Sequence, residues 1–243
     1  MKNTSIRPTK QIYKNYSEED FKVWNILFTR QLKTLNGIVA DEFIVALNDL
    51  NFTPQKIPNF NEINNTLKNI TGWVIKTVPN ISPPKEFFFY LSKKKFTTTC
   101  WLRSISQIDY LEEPDMFHDV FAHTPLLSNT QYTDFFQKIG QRALQIIHDP
   151  KKVTMLQRLY WFTIEFGLIR SAEETKIYGA GIISSKGEAE YSLSNKPKKL
   201  DYNVQKIMNH PFRTDVIQNT YYVIDSFEQL SDSFNKVDEL LFS

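Results

Sequence analysis

The sequence predicts a mainly helical α+β protein with a few short strands. Three observations carry that reading. Apolar residues recur at helical spacing along most of the 243 residues. Runs of β-branched and aromatic residues are short and scattered, and they do not alternate with helices as a doubly wound sheet requires. Aromatic side chains make up 14% of the chain, 19 Phe, 11 Tyr and 4 Trp, a surplus that must fill a core or line a pocket.

The elements follow in order. "SEEDFKVWNILFTRQLKTLNG", from Ser17, has a capping residue, an acidic first turn, apolar Phe21, Trp24, Leu27, Phe28, Leu32 and Leu35, and a stop at Asn36-Gly37, which defines an amphipathic helix. "DEFIVALNDL" and "NEINNTLKNI" are shorter helices. "GWVIKTVP" reads as a strand and "PPKEFFFYLSKKKF" as a helix opened by proline. "TTTCWLRS" has strand composition. "YTDFFQKIGQRALQII" and "VTMLQRLYWFTIEFGLI" both have helical length and period. "TKIYGAGIISS" reads as extended, with Gly179 and Gly181 where backbone approaches something closely. "TYYVID" is a strand, and "SFEQLSDSFNKVDELL" a helix capped at Ser226. With no internal repeat and no low-complexity linker, one domain over 1–243, with its core at about 17–230, is expected.

The totals exclude several function classes. Twenty-nine basic against 27 acidic side chains leave a net charge of +2, no surplus to coat a nucleic acid or an anionic membrane. The runs Lys93 to Lys95 and Lys196 to Lys199 read as solvated faces. Cys100 is the single cysteine and has no internal disulfide partner. The N-terminal "MKNTSIRPTKQIYKNY" lacks the apolar core of a secretory signal, and no apolar run approaches the roughly 18 to 20 residues that span a bilayer. A cytoplasmic protein is the expectation.

The chain has four histidines and places two of them, His118 and His123, in "EEPDMFHDVFAHTPLL". On an unbroken α-helix, residues five apart point about 140° away from each other. Thr124 precedes Pro125, a position disfavouring the helical region, so His123 is expected at a helix end from which it can swing towards His118. The spacing differs from the zinc-protease H-E-x-x-H, and the intervening residue is Asp119. In "LYWFTIEFGL", Glu165 is the only charged group among aromatic and aliphatic neighbours. A carboxylate there costs several kcal/mol unless paired or bound to a metal. Singly, each of these residues is more often an ordinary core group. Together, two imidazoles and one carboxylate with open positions match the facial triad of non-haem Fe(II) oxygenases.

"DYLEEPDMFHDVFAHTPLL", "YWFTIEFGL" and "IYGAGIISSKGE", with "TGWVIKTVP" before them and "TYYVIDSFEQL" after, resemble the pterin-dependent aromatic amino acid hydroxylases, and within that family the short bacterial phenylalanine 4-hydroxylase type. The blocks occur in family order from about Ser17 to Leu230. The resemblance implies a mostly helical basket with small strands, Fe(II) held by His118, His123 and Glu165, and a tetrahydropterin as co-substrate. It implies that Arg103 holds the amino acid's carboxylate with its planar fork. Pro114 and Trp161 sandwich the substrate ring, Gly181 and Ser184 line the same pocket, and Ser185 adjoins it. Phe87 stacks on the pterin, Asp119 reaches it through water, and the loop Pro79 to Pro84 gives it backbone contacts.

Two positions depart from the family pattern. Ala122 stands where a glycine usually precedes the second histidine, and Thr214 falls in a loop associated with substrate choice, where phenylalanine-preferring members are apolar. The regulatory and oligomerising segments of animal members have no counterpart here, so a monomer is expected. The implied reaction is hydroxylation of L-phenylalanine to L-tyrosine with dioxygen. The same chemistry on another aromatic amino acid or ring position, a zinc hydrolase on the same ligands, and a non-catalytic binding protein are the rival readings.

Overall fold

The computed structural model describes residues 7–109, 111–172 and 174–243. Tyr110, in the quoted histidine block, and the first six residues of the N-terminal stretch lie outside them.

Helix α1 (Glu18–Leu35) starts as its sequence dictates. The Ser17 hydroxyl accepts from the Asp20 amide while the Asp20 carboxylate accepts from the Ser17 amide at 2.7 Å, a capping box. The chain leaves α1 through Gly37, whose φ of +77° suits a residue without Cβ. Helices α2 (Asp41–Asp49) and α3 (Phe60–Ile70) follow, then strand β1 (Val74–Thr77), helix α4 (Pro84–Ser92) with proline in its first turn, and strand β2 (Lys95–Thr98). β1 and β2 pair in parallel with Val74 opposite Lys95.

The strand expected over "TTTCWLRS" is cut short at Thr98. Beyond it the backbone donors go to side chains instead of a ladder: the Thr99 amide donates to Asp119 at 2.7 Å and the Arg103 amide to Asp115 at 2.9 Å. Helices α5 (Thr130–Gln145) and α6 (Pro150–Tyr160) come next. The helix expected to run through "FGLI" instead passes into a π-helical turn, Trp161–Glu165, and then into strand β3 (Gly167–Ser171). "TKIYGAGIISS" also divides, into strand β4 (Glu174–Ile177) and the short helix α7 (Ala180–Ile183).

Helix α8 (Lys186–Leu193), strand β5 (Lys198–Asp201), helix α9 (Val204–Asn209) and strand β6 (Thr220–Ile224) complete a mixed sheet of order β4-β3-β6-β5, antiparallel only between β3 and β4. The single tail helix is two, α10 (Phe227–Asp232) and α11 (Phe234–Phe242), divided at Ser233. Among the described residues, no helix is long and apolar enough to cross a membrane.

The largest departure concerns the histidine segment. Phe117–His123 is a π-helix, and Thr124 keeps right-handed helical angles (φ −63°, ψ −36°) although proline follows. No break is needed, because hydrogen bonding from i to i+5 brings residues five apart close to one face. The Thr124 hydroxyl joins this pattern by donating to the Asp119 carbonyl at 3.1 Å. The opposite face of the π-helix is anchored in the aromatic core. Phe117 and Phe121 stack 4.7 Å apart, Trp24 packs on Phe117 at 5.8 Å, and Phe28 on Phe121 at 5.1 Å. Part of the aromatic surplus therefore serves to hold this one helix, each pair adding roughly 0.5–1.5 kcal/mol beyond its burial.

Candidate metal centre

The two π-helical segments present three potential ligands to one point, His118 and His123 from the first and Glu165 from the second. His118 Nε2 and His123 Nε2 are 3.2 Å apart, His123 Nε2 and Glu165 Oε1 3.1 Å, and His118 Nε2 and Glu165 Oε2 3.7 Å. These are the only three residues of metal-binding type that converge in this way among the described residues. Two donors at right angles around an ion with bonds of about 2.1 Å stand about 3.0 Å apart, so the spacing suits a small divalent cation.

The protonation pattern suits it too. The Ser184 hydroxyl donates to the Ala180 carbonyl at 3.0 Å and accepts from His118 Nδ1 at 2.8 Å. That assigns the His118 proton to Nδ1 and leaves the Nε2 lone pair facing the other donors. Burial is the main reason the His118 pKa falls, to about 4, with Glu165 opposing. For Glu165 burial alone acts upward, but His123, by charge and hydrogen bond, and then His118 and Tyr160 outweigh it and hold the carboxyl at about 2. The site thus keeps the His118 imidazole neutral and Glu165 ionised, the forms in which each ligates metal.

Glycines make the close approach possible. A Cβ on Gly179 would lie 2.4 Å from the Glu165 carbonyl oxygen, and one on Gly181 2.7 Å from Phe166 Cζ. Helix α7 can therefore pack directly on the turn carrying Glu165 and bring Ser184 to His118. This is the close backbone approach expected of "GAG".

The other candidate residues divide. Arg103 is bound by Asp115 through Nε and Nη2, both at 2.9 Å, and the Asp115 side chain is fully buried. That edge of the fork is occupied, and the Nη1–Nη2 edge is the one left for a carboxylate. Asp119 is 8% exposed and accepts at one oxygen, Oδ2, from the Thr99 amide and hydroxyl. Burial raises its carboxyl to about 7, against the lowering effect of those hydrogen bonds and of His123. Ser185 caps α8 by accepting from the Glu188 amide at 3.3 Å. Pro114 is half-buried in the loop preceding Asp115.

Trp161 stacks on Phe212 at 4.5 Å, and its indole N–H donates to Gln218 at 3.1 Å. Phe87 is half-buried and meets the Tyr160 ring edge-on at 5.5 Å. Asp115, Thr99, Tyr160 and Gln218 were not singled out in the sequence. Only Asp115 left a signal there, an acid between Pro114 and the apolar pair Met116-Phe117.

Ala122 is fully buried within the π-helix, and its methyl is accommodated beside correctly placed donors. Ala122→Gly is expected to destabilise the fold by about 1–2 kcal/mol, from helix propensity and one lost buried methyl, with metal content unchanged. Denaturant unfolding with parallel iron analysis checks this; a gain in iron affinity would show that the methyl crowds His123.

A buried cluster of two histidines and one glutamate, carried on π-helical turns in a mostly helical fold, defines a protein of the facial-triad, non-haem metal class. The sequence matches the biopterin-dependent aromatic amino acid hydroxylase family over residues 5–241, and the chain belongs to that family. It is 43% identical over 233 residues to the phenylalanine-4-hydroxylase of Ralstonia nicotianae, covering 94% of this chain and 74% of that one. To the phenylalanine-4-hydroxylase of Chromobacterium violaceum it is 44% identical over 219 residues, covering 90% and 73%. The crystal structure of C. violaceum phenylalanine hydroxylase with iron(III) and the oxidised cofactor 7,8-dihydrobiopterin superposes with a TM-score of 0.90 at 42% identity, covering 97% of this chain and 86% of that one.

Proposed function

We propose that this chain is a monooxygenase that hydroxylates the ring of L-phenylalanine to give L-tyrosine, using Fe(II), dioxygen and a tetrahydropterin. The observation that carries the reading is the convergence of His118, His123 and Glu165 within 4.8 Å, in a chain whose relatives at 43% and 44% identity are phenylalanine-4-hydroxylases. Iron bound by these three residues supplies the oxygen-activating chemistry when the pterin is beside it.

The chain's own residues do the rest. His118 is held in its ligating tautomer by Ser184. Arg103, fixed by Asp115, offers its outer edge to the substrate carboxylate as a two-point contact. Pro114 and Trp161 confine the ring, Gly181 leaves space beside it, and Ser184 and Ser185 border the pocket. Phe87 offers a flat face to the pterin, and Asp119, with Oδ1 free of the Thr99 bonds, meets it through water. In this reading the chain works as one catalytic domain, a cytoplasmic monomer, with small molecules as its only partners.

The test is an assay of purified, iron-loaded protein with phenylalanine, tyrosine and tryptophan, with products identified by mass and retention. Pterin-coupled oxygen uptake with tyrosine as the product supports the proposal. Zinc in place of iron, with hydrolytic activity that persists without oxygen, overturns it. Phe87→Ala is expected to raise the apparent KM for tetrahydropterin about two- to tenfold with iron content intact, as loss of roughly 0.5–1.5 kcal/mol of ring stacking predicts. Steady-state kinetics with both substrates varied measures this, and unchanged pterin dependence would return Phe87 to a packing role against Tyr160.

A further inference from the structure

The loop between α9 and β6 carries Thr214, and it is mostly exposed. Val216 and Ile217 are 46% and 53% open to solvent, and the Arg213 side chain is spent within the loop on Asp215. What ties this loop to the body is Gln218, only 6% exposed. Its Oε1 accepts from the Trp161 indole N–H at 3.1 Å, and its Nε2 donates to the carbonyls of Arg213 at 2.9 Å and Val216 at 2.8 Å. The amide orientation is unambiguous, because an indole N–H can only donate and a carbonyl can only accept.

The backbone of Gln218 is pinned as well. Its amide donates at 3.0 Å to Glu188 Oε1, which also accepts from the Tyr221 hydroxyl at 2.5 Å. Glu188 is itself 5% exposed and lies on α8, close behind Ser184 and Ser185. One buried residue, through its side-chain and backbone amides together, therefore connects the Trp161 turn, the Arg213–Val216 backbone and α8. The indole is held by this segment twice over, since Phe212 stacks on its face and Gln218 fixes its edge.

We propose that Gln218 is a positioning residue for amino-acid selection: it couples the orientation of the Trp161 indole to the path of the Thr214 loop, so that the width of the ring pocket is set by both together. This rests on the proposed reading of Trp161 as a wall of that pocket. An indole rotation wide enough for a larger ring must break the N–H bond or drag the loop carbonyls with it. The first leaves a buried N–H without its acceptor, and the second changes the path of the loop.

The test compares iron-loaded wild type with Gln218→Met, Trp161→Phe and the double variant. Apparent KM values for phenylalanine and tetrahydropterin, the phenylalanine-to-tryptophan preference, iron content and Tm are measured for each. Gln218→Met is expected to raise the phenylalanine KM about tenfold, the scale set by one buried N–H left without its acceptor. The tetrahydropterin KM and iron content should stay within about twofold, and the preference for phenylalanine should relax. The indole N–H resonance of Trp161, assigned by its loss in Trp161→Phe, should move. In the double variant the KM effects should fall well short of multiplying, because the two side chains act through one contact.

Independent, multiplying effects, or phenylalanine and pterin constants rising in step with a fall in Tm, would reduce Gln218 to a fold-stabilising role. A Trp161→Phe enzyme with unchanged phenylalanine KM and preference would instead overturn the pocket reading itself. The two failures are told apart by whether Trp161→Phe alone changes the phenylalanine KM and preference.

Discussion

Glu165→Ala should abolish iron retention and hydroxylation together, the largest functional loss expected of any single substitution in this chain. Among the described residues, Glu165 supplies the only carboxylate that converges with the paired histidines as a potential ligand, and its carboxyl, held at about 2, is ionised at any working pH. Its loss leaves two imidazoles, too few protein donors and no counter-charge for a divalent cation. Even the loss of a group that only hydrogen-bonds a ligand lowers metal affinity about 10- to 100-fold, so removal of a ligand should exceed the upper figure. Iron per chain after loading and gel filtration is the direct readout, with near-ultraviolet circular dichroism to show that the aromatic core is intact. Glu165→Gln preserves shape and removes charge, and it should behave like the alanine variant. Either variant retaining stoichiometric iron would remove Glu165 from the metal site.

Asp115→Ala should give the largest loss of stability. The carboxylate is completely buried and accepts from the Arg103 amide, Nε and Nη2, each at 2.9 Å, and from the His118 amide at 3.4 Å. Arg103 is itself only 11% exposed, so removal of its partner strands a buried guanidinium. Breaking such a pair costs about 3–5 kcal/mol. For a chain of this length that corresponds to a fall in Tm of roughly 10 °C, measurable by calorimetry. Asp115→Asn keeps one acceptor and should fall between. Because the same carboxylate aims Arg103, the surviving alanine variant should also show a raised apparent KM for the amino acid. A Tm within about 3 °C of wild type would mean that water replaces Asp115 at little cost.

The sequence by itself determined the class of the fold, most helix starts, the strands β1 and β6, and the identity of the three groups that meet. Caps, first-turn charge and apolar period are local signals, and Ser17 with Asp20 shows how fully a helix start can be written in four residues. Glu165 was legible because an isolated acid in an aromatic run has few alternatives to a ligand or a buried partner.

Only the tertiary structure decided how the histidines meet. Propensity describes α-helix and strand, whereas a π-helix is stabilised from outside, here by the aromatic core that grips Phe117 and Phe121 and leaves His118 and His123 on one side. The same holds for the end of the expected strand at Thr98, where Asp119 and Asp115 capture amides from a segment about 12 to 20 residues away in sequence. It holds too for Gln218, whose partners lie 57 residues upstream at Trp161 and 30 upstream at Glu188. Such bonds carry no periodic trace in the sequence, because each depends on a distant backbone having already been brought alongside by core packing.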